Sequence, residues 1–350
     1  MQAFRAAILE CSREPLLIDM IVPAEGLKAG QVLVRIRYSG ICGAQVNEIN
    51  ATKGPDKFLP HLLGHEGIGE ILEVGPLVRT VAVGDTVVLH WMPGTGIQSD
   101  PANYTWNGKK LNAGWVTTLS EITVVSENRV TKFESGLDPR FAPLLGCAAT
   151  TAAGVIGRDA GLRLGESVVV LGTGGVGLLV VEVARASGGF PVVGVDIVAE
   201  RLDSARGMGA TAAFNAVDEG DGLETAIRQA LGGGVPDVVV ETTGNRRMIE
   251  LGYRLVSGGG RCVLVGVPHH DEPAAIDTLP LHFGAVLTGS KGGGTRPEVD
   301  IPRLANLAVD GVFRLQDLPI TMLALDQVND GIDAIRQGLP GRVVIDMQQA

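Results

Sequence analysis

The chain has 350 residues, 45% of them hydrophobic, which is enough for two domains with substantial cores. It carries 29 Lys and Arg against 39 Asp and Glu, and the net charge of −10 excludes a basic footprint for nucleic acid. No apolar stretch reaches the roughly 18–20 uninterrupted residues of a membrane span, no signal peptide is read at the start, and cytoplasm is the expected compartment.

Residues 3–9, 16–21 and 31–38 alternate like antiparallel strands, punctuated by Pro23, Gly26 and Gly30. Ser39-Gly40-Ile41-Cys42-Gly43-Ala44-Gln45 follows, and then Leu63-Gly64-His65-Glu66-Gly67 before a strand over 68–74. A further strand is expected after the turn at Gly84-Asp85, and another over 114–125. The first half therefore reads as a small β-rich barrel with its chemistry on loops. Of the four cysteines, at 11, 42, 147 and 262, none forms a disulfide framework. Thiolate and imidazole suit Zn²⁺, and Cys42 and His65 lie on either side of a segment that folding could close. Cys11 and Cys262 read as structural thiols. Residues 92–112 hold Tyr104, Trp106, Lys109 and Lys110, expected in an exposed loop, at the cleft rim or against a second subunit. Lys53, Lys57 and His61 are either specificity residues or solvated surface.

Residues 168–171 form an apolar run short enough for a buried parallel strand. Gly172-Thr173-Gly174-Gly175-Val176-Gly177 then matches GxGxxG, followed by a helical pattern and a second strand ending at Asp196. Gly172 permits the tight turn, Gly174 lets a pyrophosphate approach the backbone, and Gly177 lets helix and strand pack closely. The free N–H groups of the helix start, at Gly175 and Val176, face the phosphates. Asp196 stands where an acid bonds a ribose 2′-OH and repels a 2′-phosphate, so NAD is favoured over NADP. Arg201 could approach the same ribose edge. Alternating strands and helices continue to residue 289, as a doubly wound sheet requires. His269-His270-Asp271-Glu272 reads as an exposed loop or a substrate-facing cluster.

In this order, Cys42, Gly64-His65-Glu66, Val83-Gly84-Asp85 and the GxGxxG unit resemble the zinc-dependent medium-chain alcohol dehydrogenases, over essentially the whole chain. The resemblance implies an α/β fold: a GroES-like β-rich catalytic domain, residues 1–152 and 293–350, interrupted by a Rossmann NAD-binding domain, residues 153–292. It implies Cys147 as the third zinc ligand, with Glu66 as a close acid that ligates transiently. It places Thr243, Val265 and Val267 beside the nicotinamide and its ribose, Arg342 at the pyrophosphate and Trp91 as a wall of the substrate pocket. It also implies a homodimer or homotetramer built on the edge strand over 285–289.

Three departures stand out. Residues 92–112 contain no cysteine, so the four-cysteine structural zinc of many relatives is ruled out. Ala44 replaces the Ser or Thr whose hydroxyl passes the alcohol proton outward, and Asn47 occupies a farther relay position. Gln45 replaces an Asp that orients the zinc-ligating histidine; its carbonyl can accept a hydrogen bond but adds no charge. The expected activity is NAD-dependent oxidation of a secondary, polar or polyhydroxylated alcohol, the substrate supplying its own hydroxyls. An epimerase or oxidation–elimination enzyme that recycles NAD in each turnover is the alternative, and a non-enzymatic cofactor-binding protein a third reading.

Overall fold

The computed structural model describes residues 2–349. Gln31–Ile41 is the long central strand of a seven-stranded sheet, and it alternates as a half-buried strand should: Val32, Val34 and Ile36 point inward, Arg35 and Arg37 outward. It pairs with Glu66–Val74, with Ile122–Ser126 and, from the far end of the chain, with Arg342–Asp346. The last pairing sets Val343 opposite Ile41 and so brings Arg342 to the Cys42 end of the strand. Cys42 itself caps helix α1 (Gly43–Ile49), and Cys147 opens helix α2 (Ala148–Gly154).

A five-stranded sheet lies beside it, ordered His61–Leu62, Phe4–Leu9, Leu17–Pro23, Tyr104–Trp106, Lys109–Leu111. Residues 92–112 are thus only in part a loop: 92–103 is irregular and partly exposed, and Lys109 and Lys110 face solvent. The segment ends in a hairpin whose aromatic side chains are buried in this chain's own core, in one cluster with Phe4, Ile8, Ile21 and Leu111. Trp106 Nε1 donates to Asp19 at 2.7 Å, and the Tyr104 hydroxyl accepts from the Val124 N–H at 2.9 Å. The region that lacks cysteines is held to the core by these buried aromatics. The expected strand over 114–125 is shorter: the regular strand is Ile122–Ser126, preceded by a single bridge from Ser120 to Ala6, and Gly114 and the half-exposed Trp115 lie outside the sheet.

Between these sheets in sequence lies a six-stranded parallel sheet, ordered Ala212–Asn215, Val192–Asp196, Val168–Leu171, Val238–Glu241, Arg261–Leu264, Val286–Gly289. Val168, Val169, Val170 and Leu171 are fully buried, as a strand covered on both faces must be. The chain runs outward from it in one direction and then returns to build the other side. Its carboxyl end is therefore the switch point, where a crevice opens. Gly172 turns the chain there at φ +91°, and helix α3 (Gly175–Ala186) begins. No helix among the described residues is long and apolar enough to cross a membrane.

Candidate active site

Three loops bring three ligand atoms together. Cys42 follows its strand, Cys147 caps α2, and His65 follows Gly64, whose φ of +94° and tight fit against the Leu119 backbone admit no side chain. The Cys42, His65 and Cys147 donor atoms all lie within 4.8 Å of one another, and His65 Nε2 is 3.3 Å from Cys147 Sγ. A hydrogen bond from Cys147 holds the Cys42 thiol well below its ordinary pKa; burial opposes this and the Arg342 charge assists. Two buried sulfurs and one imidazole form a soft donor set that fits a zinc ion with one position open.

Glu66 is fully buried between Gly40 and Gly146, neither of which has room for a Cβ. It does not join the three donors. Its carboxylate is paired with Arg342, which is itself 4% exposed. Burial works against the Arg342 charge, but Glu66 and the two cysteines outweigh it and raise its pKa above the ordinary value. Arg342 Nε has no partner, and the side chain lies over Gly175 at the start of α3.

Gln45 is buried beneath the centre, and its carbonyl is already engaged. Gln45 Oε1 accepts the Cys42 N–H at 2.8 Å, and its amide nitrogen faces His65 Nδ1. The expected carbonyl contact to histidine is not made, because Oε1 is turned to the N–H at the start of α1 and leaves the amide nitrogen facing the ring.

Two cavities, of about 650 and 680 Å³, meet at Ala44, Asn47, Val176, Val265 and Val267. The second is lined by every nucleotide candidate: Gly172, Gly174, Gly175, Val176, Gly177, Asp196, Arg201, Thr243, Val265, Val267 and Arg342. Over Gly174 the nearest atoms to an added Cβ belong to Arg201 at 3.9 Å, so the backbone is open to a phosphate. Asp196 Oδ2 accepts the Thr173 N–H at 2.7 Å and so ties down the glycine turn, while Arg201 approaches Oδ1 to 3.7 Å. The turn, the helix start and the orphaned Arg342 Nε together fit a dinucleotide. The first cavity contains His65, Cys147, Ala44, Asn47 and Trp91. Trp91 lies against Gly292, where no Cβ fits, and Arg129 holds its carbonyl. Lys53 and Lys57 are exposed at the mouth, whereas His61 is buried against Asp56. His269, His270 and Asp271 are exposed, and the His270 N–H bonds to Thr52 O across the cleft mouth at 3.3 Å.

The first cavity also holds Glu48, Thr151 and Lys291, which sequence reasoning missed. Two of them had a signal: Thr151 lies four residues after Cys147 and Glu48 four after Ala44, one helical turn in each case.

Residues 28–135 match the family described as alcohol dehydrogenase GroES-like domain, and residues 175–308 match zinc-binding dehydrogenase. This chain belongs to the zinc-dependent medium-chain alcohol dehydrogenases. It is similar to S-(hydroxymethyl)glutathione dehydrogenase of Escherichia coli O157:H7 and of Shigella sonnei, each 29% identical over 370 residues, covering 97% of this chain and 99% of the relative. Among solved structures it resembles an alcohol dehydrogenase zinc-binding domain protein from Burkholderia ambifaria, with a TM-score of 0.90, 26% identity and 99% of each chain covered. Benzyl alcohol dehydrogenase from Acinetobacter calcoaceticus shares the fold, with a TM-score of 0.88 and 24% identity over 99% of each chain. This dehydrogenase is an NAD-dependent, zinc-dependent oxidoreductase of the alcohol dehydrogenase type.

Proposed function

We propose that this dehydrogenase interconverts a polar, polyhydroxylated secondary alcohol and its ketone, with Cys42, His65 and Cys147 holding zinc. The observation that carries the substrate reading is the lining of the first cavity. Trp91, Val176 and Val265 supply apolar walls, while Asn47, Glu48 and Lys291 offer a carboxamide, a carboxylate and an ammonium to substrate hydroxyls. Bound at the two sites, zinc supplies Lewis-acid polarisation of the substrate oxygen and nicotinamide accepts or returns the electron pair.

The chain's own residues do the rest. Cys42 and Cys147 present sulfur from two helix starts, which fixes the donors before any ligand arrives. Arg342, paired with Glu66, keeps a positive charge beside the phosphate cradle. Asp196 meets the adenosine ribose and favours NAD, while Arg201 beside it narrows that preference. Trp91 limits how the substrate carbon can approach.

The division into a catalytic domain, 1–152 with 293–350, and a nucleotide domain, 153–292, is part of this reading, as is a cytoplasmic homo-oligomer. Support for the oligomer comes from the sheet edge at Val286–Gly289, where Phe283 is 74% exposed. The test is a panel of polyols and aromatic alcohols with NAD and NADP, together with metal analysis. Polyols turned over with NAD by a protein holding one zinc per chain are the expected result. Preference for aromatic alcohols or for NADP would overturn the substrate or cofactor reading, and product without net NADH would favour the NAD-recycling alternative.

A further inference from the structure

Oxidation of an alcohol leaves one hydroxyl proton in the cavity, and Ala44 has no hydroxyl to take it. We propose that Glu48 is the group that accepts this proton and delivers it to bulk water. The inference rests on the placement of the reacting centre at Cys42, His65 and Cys147.

Elimination among the described residues lining the first cavity leads to Glu48. His65 and Cys147 are engaged at the centre. Lys53, Lys57 and Lys291 are ammonium groups, which have no lone pair to offer near neutral pH. Asp56 is occupied on both oxygens, accepting the Phe58 N–H at 2.8 Å and facing His61 Nε2 at 2.8 Å. Burial alone would raise its pKa, but these two contacts hold it below the ordinary value, so it is a poor base. Glu48 has no such engagement, since its nearest ionic neighbour is His61 Nε2 at 3.9 Å.

Its position suits the task. Ala44 and Glu48 lie four residues, one helical turn, apart on α1 and both face the cavity, their Cα atoms about 6 Å apart along the helix axis. The space a hydroxyl would occupy at Ala44 is left for water, and Asn47 beside it offers a donor and an acceptor. The Glu48 side chain is 46% exposed and therefore touches both the cavity and the solvent. Burial pushes its pKa up, with the Asp56 charge assisting and His61, His65 and Lys53 opposing. These are the charged groups that face it from its neighbouring loops. A carboxylate weakened in this direction takes a proton more readily and still returns it to water.

The proton balance is simple. In oxidation the alcohol O–H proton passes through water to a Glu48 oxygen and then leaves to solvent; in reduction the same path runs backward. No further reactant is required.

The test compares wild type with Glu48→Gln and Glu48→Asp on whichever alcohol of the panel turns over, so it does not depend on the polyhydroxylated preference. Proton release into a pH-indicator dye is followed in a single turnover, alongside zinc content. Glu48→Gln is expected to slow proton release and oxidation about 10²-fold, as removal of a general base does. It should also flatten the rise of rate with pH through the Glu48 pKa, with zinc retained. Glu48→Asp and added imidazole buffer should each restore part of the rate. A wild-type rate and pH profile in Glu48→Gln would overturn the proposal, as would loss of that pH limb in Thr151→Val instead. Retention of zinc by Cys147→Ser would sink the placement of the centre, a separate result.

Discussion

Gln45 turns its amide nitrogen, not its carbonyl, toward His65 Nδ1. A neutral imidazole that accepts at Nδ1 carries its proton on Nε2, the nitrogen that faces Cys147. Holding a cation at Nε2 moves that proton to Nδ1, opposite an N–H donor. Rotating the amide instead would leave the Cys42 N–H without its acceptor. Gln45→Glu, which keeps the length and offers two acceptor oxygens, relieves both conflicts. It should tighten zinc binding by about 10- to 100-fold, the usual weight of such a supporting contact. Competition with a chromogenic chelator measures this, and unchanged affinity would contradict it.

Breaking the Arg342–Glu66 pair should cost both stability and cofactor. Arg342→Met leaves a fully buried carboxylate without its partner, a loss of about 3–5 kcal/mol. NADH fluorescence titration should show weaker binding as well. The double variant Arg342→Met with Glu66→Leu should recover most of the stability but none of the NADH affinity. Recovery of both would remove Arg342 from the nucleotide site.

Trp106 anchors the hairpin in the core of the five-stranded sheet. Trp106→Ala should lower the thermal midpoint, reflecting about 3–5 kcal/mol, while the zinc count stays at one per chain. A loss of zinc in that variant would show that the hairpin and the metal centre are coupled.

His90 gives an acid limb to stability. It is buried, its Nδ1–H donates to Met92 O at 2.7 Å, and its Nε2 accepts from the Thr131 hydroxyl at 3.0 Å. Burial lowers its pKa to about 4 from 6.5. The unfolded chain therefore binds more protons than the native one between those values. Stability is full above pH 6.5 and falls as pH drops toward 4, by roughly 3 kcal/mol at about 1.4 kcal/mol per unit. Denaturant melts across this range should show the slope in wild type and its loss in His90→Asn.

The parallel sheet and its glycine turn were legible because the signal is local: Val168 to Gly177 fits one strand, one turn and one helix start. The hairpin at Tyr104–Trp106 was not, because burial of its aromatics depends on pairing with Leu17–Pro23, some eighty residues earlier. The three zinc donors could be named from motifs, yet the Gln45 orientation could not, since a backbone N–H decides it. Glu48 and Thr151 were readable only by stepping one turn along a helix from residues already under suspicion. The Glu66–Arg342 pair spans 276 positions, and no spacing rule reaches that far.

The strand Arg342–Asp346, which completes the sheet beside Cys42, follows the whole nucleotide sheet in the chain. A nascent chain can therefore fold its nucleotide sheet first and still be unable to finish the catalytic centre. Truncation before Arg342 should yield a protein with an unneutralised Glu66 and an open sheet edge, which proteases should cleave more readily.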